Sequence, residues 1–191
     1  MLPVDIFNIF LTTKGDEFVI LLHGSEDPRT LPISIGQLEA QSIFIQLYHY
    51  SFPRPLTHDL FKSVLERLGG TVVKVVVNDI VENTFYARLF IEKDGEIVEM
   101  DSRPSDAIAL AVRFSAPIFV EETIMEKSGI ILPEALAGQS PVGSLAEGAG
   151  GDAEPPTLDS LKTKLATAIK EERYEDAAKL RDAINKLTKS N

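Results

Sequence analysis

Apolar and polar positions alternate through the opening of the chain and then shift to helical spacing. Val4-Asp5-Ile6-Phe7-Asn8-Ile9-Phe10-Leu11 and Glu17-Phe18-Val19-Ile20-Leu21-Leu22 are β-rich runs, and Lys14-Gly15-Asp16 between them reads as a hairpin turn. After Leu31-Pro32-Ile33-Ser34-Ile35-Gly36, the residues Ala40, Ile43, Phe44 and Leu47 fall at i, i+3, i+4 and i+7, one face of a helix. A second helix follows Thr57, a good cap. The spacing turns Leu60, Phe61, Val64, Leu65 and Leu68 inward, and Gly69-Gly70 stops it. Strands are expected at 72–77, 85–91 and 96–100, with Lys93-Asp94-Gly95 turning the last pair. A third helix covers about 104–114, Ile118-Phe119-Val120 is a short strand, and a last helical turn follows. Hairpin turns beside helices predict an α+β fold with a mostly antiparallel sheet and three to four helices, rather than parallel βαβ units.

The pattern changes near the end. Residues 134–156 are rich in Gly, Pro, Ser and Ala without sustained periodicity, which reads as a flexible linker between a first domain at 1–133 and a last unit at 157–191. In that last unit, Leu158, Leu161, Leu165, Ala168 and Ile169 form one apolar stripe, and Ala177, Leu180, Ile184 and Leu187 form another. Glu171-Glu172-Arg173 lies between them, so a separate antiparallel helical hairpin is expected. Thirty-four residues (158–191) fall below the roughly 40 at which a lone core usually suffices, so this unit should complete itself on a partner.

Charge narrows the functions available. The 191 residues carry a net charge of −10, distributed as −8 over 1–133, −4 over 134–157 and +2 over 158–191. Such a surface argues against general phosphate binding, so any nucleic-acid site must be local. No cysteine is present, which excludes disulfides, a thiol nucleophile and thiolate metal sites. The start of the chain lacks the basic and apolar regions of a secretory signal, and no window approaches the roughly 18 apolar residues of a membrane span. A soluble cytoplasmic protein without membrane contact is the expectation.

Three segments are denser in polar residues than folding alone requires: 31–40, 53–59 and 101–107. Cleaving a phosphodiester calls for carboxylates to hold a metal, a proton-transfer group, and cations for the developing charge. Glu39, Asp59, Asp101 and Asp106 offer oxygen ligands for Mg²⁺ or Mn²⁺, His58 a proton-transfer group, and Arg54 and Arg103 a phosphate clamp. The catalytic set is then His58, Asp59 and Asp106. The same residues admit a purely structural account. Asp59 and Asp106 lie in the first turns of expected helices, where a carboxylate gains about 0.3–1 kcal/mol from the helix dipole, and the two arginines can simply pair with them. His23 and His49 look incidental.

Taken together, the three segments resemble the bifunctional nuclease family over about residues 4–130, although none of them alone carries the likeness. Family members typically have an aromatic residue where Ser34 stands and Ala where Ser42 stands, departures expected to touch packing more than chemistry. The resemblance implies divalent-cation-assisted hydrolysis of RNA and DNA, an activity attributed mainly to plant members. Residues 158–189, centred on Tyr174-Glu175, Ala177-Ala178, Leu180 and Arg181-Asp182, closely resemble the UVR motif, the hairpin through which excinuclease subunits contact each other. A bare amphipathic hairpin needs apolar residues at 177, 180 and 184 but not the Arg-Asp pair. A protein-binding face of Leu161, Leu165, Tyr174, Ala177, Ala178, Leu180, Arg181 and Ile184 is expected. Two functions stand open: a metal-dependent nuclease recruited through the hairpin, or a non-catalytic dimeric adaptor. Both include a homodimer, expected because the strand edges and the apolar run Phe18–Leu22 are hard to cover in a domain of this size.

Overall fold

The computed structural model describes residues 1–12, 17–50 and 52–132. The expected turn at 14–16, the linker and the C-terminal hairpin lie outside those residues. Strands β1 (Leu2–Leu11), β2 (Phe18–Gly24) and β3 (Arg29–Ile35) form an antiparallel meander. Helices α1 (Gln37–Leu47) and α2 (Thr57–Arg67) follow, then the antiparallel strands β4 (Gly70–Val81), β5 (Thr84–Lys93) and β6 (Glu96–Ser102). Helix α3 (Pro104–Phe114), strand β7 (Ile118–Val120), helix α4 (Glu122–Ser128) and the two-residue strand β8 (Ile130–Ile131) complete the described chain. Among the described residues one eight-stranded sheet runs β6-β5-β4-β7-β1-β2-β3-β8. Only β4 and β7 pair in parallel, so the fold is α+β with a mostly antiparallel sheet.

Period-2 alternation explains the sheet's covered face. In β5, Ala87, Leu89 and Ile91 are buried while Arg88, Phe90 and Glu92 are not. The β5–β6 connection is the expected Asp-Gly turn, with Asp94 and Gly95 both at positive φ (55° and 83°), as a tight hairpin requires. Helix α3 packs against β4, β5 and α1. Its small residues Ala107, Ala109 and Ala111 are fully buried and let those neighbours approach closely.

Three expectations change. Phe18–Leu22 is no exposed edge: β2 is hydrogen-bonded on both sides, and Phe18, Ile20, Leu21 and Leu22 are buried. The segment 31–35, given no strand from sequence, lies in β3. There Pro32 is tolerated because β8 pairs only with Arg29 and Thr30, leaving Pro32 on an open edge. Helix α2 is turned the other way from its pattern. Its predicted inward residues Leu60, Phe61, Val64 and Leu68 are exposed, Leu68 by 64%, and only Leu65 packs in, near Gly70 and Ile91. The side facing the domain carries His58, Asp59 and Lys62, because what it meets is polar. The Lys62 ammonium donates to the Arg113 carbonyl at 2.7 Å and sits over the Phe114 ring. The helix begins one residue earlier than the Thr57 cap implies, with Leu56 at the cap position and its N–H donating to the Asp59 carboxylate at 2.9 Å.

Candidate functional site

The first turns of α1, α2 and α3 carry Glu39, then His58 and Asp59, then Asp106, with Arg103 at the cap of α3. Helix starts of this kind leave backbone N–H groups unpaired and favour negative charge. The side chains there form a chain of contacts. The Ser42 hydroxyl lies 2.8 Å from His58 Nδ1, and His58 Nε2 lies 3.5 Å from Asp106 Oδ1. Arg103 donates from Nε to Asp106 Oδ2 at 2.8 Å and from Nη2 to Oδ1 at 3.2 Å, a bidentate pairing. Its Nη1 reaches Glu39 Oε1 at 2.9 Å. One guanidinium thus bridges two of the candidate metal ligands, and the hydrogen bonds it donates, to Asp106 above all and also to Glu39, raise the Arg103 pKa further. Arg103 remains two-thirds exposed, whereas the His58 ring is only 20% exposed.

Behind this cluster lies a second one. Arg113, with a side chain only 1% exposed, donates from Nε to Asp59 Oδ1 at 2.7 Å and from Nη1 to the carbonyls of Ser42 (3.3 Å) and Ala109 (2.9 Å). Its Nη2 has no hydrogen-bond partner among the described residues. Burial raises the Asp59 pKa, but the bonds from Arg113 and from the Leu56 N–H outweigh it, and the net direction is down. Asp59 is therefore engaged by a buried cation on one side and a helix start on the other.

Of the candidates named from sequence, the structure brings Glu39, His58, Arg103 and Asp106 together and sets Asp59 beside them on Arg113. It does not bring in Arg54, exposed in the loop before α2, or Asp101, exposed in β6 opposite Arg88. Among the described residues no three His, Asp or Glu side chains gather into a metal-holding group. A hydrated Mg²⁺ needs only one or two protein carboxylates beside substrate oxygens. Glu39 and Asp106, both paired with Arg103, are the carboxylates that could serve one.

Sequence reasoning missed Ser42 and Arg113. The departure from Ala at 42 was expected to touch packing, yet its hydroxyl touches His58. Arg113 gave a signal that was available: a charged residue four positions after Ala109, on a helix otherwise buried nearly all round, must have a partner inside.

The family model described as the bifunctional nuclease domain matches residues 19–133, and the UvrB/uvrC motif matches residues 157–190. An uncharacterized protein of Mycobacterium tuberculosis is 39% identical over 131 residues, 69% of this chain and 78% of that protein. Bifunctional nuclease 1 of Oryza sativa subsp. indica is 30% identical over 165 residues, covering 81% of this chain and 50% of the plant protein. Bifunctional nuclease 1 of Arabidopsis thaliana is 29% identical over 168 residues, 82% and 52% of the two chains. The chain spans about half the length of these plant relatives. With a family model matched over more than half of its length, the chain belongs to the bifunctional nuclease domain family and carries a C-terminal UvrB/uvrC motif.

Proposed function

We propose that this chain hydrolyses phosphodiester bonds of RNA and DNA at the Glu39–Arg103–Asp106–His58 cluster, and that the C-terminal hairpin recruits it to a protein partner in the cytoplasm. The observation that carries the reading is the bridged cluster itself: a partly exposed imidazole and an exposed guanidinium share one carboxylate at the start of a helix. A divalent ion, Mg²⁺ or Mn²⁺, held by Asp106 and Glu39 would supply charge neutralisation and an activated water. The chain's own residues do the rest. Arg103 is exposed enough to turn from Asp106 toward a phosphate, replacing one anionic partner with another. The helix starts favour the same charge, which on a chain of net −10 confines nucleic-acid binding to this spot. Cleavage of labelled single-stranded RNA and DNA by the full chain, with each metal, tests the proposal. His58→Ala and Asp106→Asn should each lower the rate by at least about a hundredfold. Wild-type protein inert with both metals would leave the adaptor as the function.

The outward stripe of α2 supports pairing with a second copy of the chain, which both readings share. Val98 and Met100 of β6 stand opposite the buried Ile91 and Leu89, so they continue the sheet's covered face past its last covered strand, yet both are exposed. Edge-to-edge pairing of two β6 strands would bring together Glu96, Glu99 and Asp101 of each chain, an arrangement that like charges oppose. Docking the α2 stripe on the partner's Val98–Met100 shelf would avoid this. Sedimentation should give a dimer at micromolar concentration, and Val64→Glu should give a folded monomer. A monomeric wild type removes the pairing.

A further inference from the structure

We infer that Ser42 is a positioning residue that holds His58 as the Nε2-protonated tautomer, so that the ring meets its substrate as a hydrogen-bond donor and not as a base. The assignment follows from what each neighbour can do. Both Asp106 oxygens already accept from the Arg103 guanidinium, so the carboxylate faces the imidazole only as an acceptor. A bare lone pair on the ring nitrogen turned toward it, Nε2 at 3.5 Å, would face the carboxylate's charge, which favours the proton on that nitrogen. In a neutral ring the lone pair is then on Nδ1, and that atom lies 2.8 Å from the Ser42 hydroxyl. A hydroxyl can donate or accept, and here it donates. Ser42 is itself buried on α1, and its carbonyl accepts from the buried Arg113, so the backbone beneath the hydroxyl is pinned.

One consequence concerns catalysis and rests on the hydrolysis proposed above; the tautomer does not. The basic lone pair of His58 points into the protein, where no substrate reaches. Nε2–H, which faces Asp106 here, would donate to a phosphoryl oxygen that enters beside that carboxylate as charge gathers on it. The water must then be activated by another group.

The experiment is a long-range proton–nitrogen correlation spectrum of the ¹⁵N-labelled full-length protein, at a pH where the imidazoles are neutral. His58 is distinguished from His23 and His49 by its absence in His58→Gln. The expected result is a protonated Nε2 and bare Nδ1 for His58 in the wild type, admixture of the other tautomer in Ser42→Ala, and restoration in Ser42→Thr. A wild-type ring protonated on Nδ1, or a Ser42→Ala spectrum identical to wild type, would overturn the assignment. If cleavage is present, His58→Gln, whose amide can donate but cannot relay a proton, should keep activity within about tenfold of wild type while His58→Ala does not. Equal loss in both would overturn the donor role. Absence of cleavage in the wild type would sink the hydrolysis reading and leave the tautomer standing.

Discussion

Asp59→Ala is expected to destabilise the first domain by about 3 kcal/mol, lowering its melting temperature by roughly 10 °C. The reason is what remains behind. Arg113 is almost wholly enclosed, and Asp59 is the only carboxylate it contacts among the described residues. Removing that carboxylate leaves a buried guanidinium unbalanced, a far larger cost than the helix-dipole value of about 1 kcal/mol that a first-turn aspartate alone would carry. Asp59 is about a third exposed, which places the expected cost at the lower end for buried pairs. The double replacement Asp59→Leu with Arg113→Met should recover most of the loss, because it removes both charges together. Thermal melts of wild type, Asp59→Leu, Arg113→Met and the double variant form the cycle. A single-variant cost below about 1 kcal/mol would mean that water already solvates Arg113, and would return Asp59 to the pool of free metal ligands.

Acid should reveal the same pair. Burial pushes the Asp59 carboxyl up, but the Arg113 and Leu56 bonds bring it below its ordinary 3.8. The folded state thus favours the ionised form. Its contribution is complete above pH 3.8 and drains away as the pH falls through the lower folded value. Asp27, held at about 2 mainly by the side-chain hydrogen bonds of Arg29, loses its contribution over the same acid range. The Asp59→Ala variant should therefore show a shallower loss of stability on acidification than wild type, with the Asp27 part remaining.

How far the sequence could be read depended on whether each signal was local. The Asp94-Gly95 turn and the α3 start at Pro104 were legible because they are set by backbone preferences of the residues themselves. Helix α2 was misread for a non-local reason. Its apolar spacing is genuine, but the surface it lies on presents Arg113 and a carbonyl from α3, fifty residues downstream, so the polar side turned inward. The exposed apolar stripe that results is the basis of the proposed pairing with a second chain. The site shows the same division. Glu39, His58, Arg103 and Asp106 could be named as chemistry-bearing residues, yet nothing in their spacing revealed that one arginine joins the carboxylates. Nor did it reveal that a serine, an ordinary occupant of a helix interior, would face His58.

Deleting residues 157–191 is expected to leave the first domain folded and any hydrolysis unchanged while abolishing capture of a protein partner. The core among the described residues runs from Val4 to Met125, and the bifunctional nuclease match ends at residue 133, so the deletion removes nothing that either requires. The removed segment is the one that matches the UvrB/uvrC motif. The spacing of Leu161 and Leu165 and of Ala177, Leu180 and Ile184 predicts two apolar stripes, and a hairpin of two such short helices would leave part of them for a partner. Ala178→Glu would put a charge next to the apolar positions that the sequence predicts to face a partner, and should abolish capture as the deletion does, without shortening the chain. Thermal melts, cleavage assays and affinity capture on the three proteins separate the possibilities. Capture surviving both changes would assign the partner site to the first domain. Unfolding of the first domain on deletion would make the segment part of that domain's own structure, and recruitment through it would no longer stand.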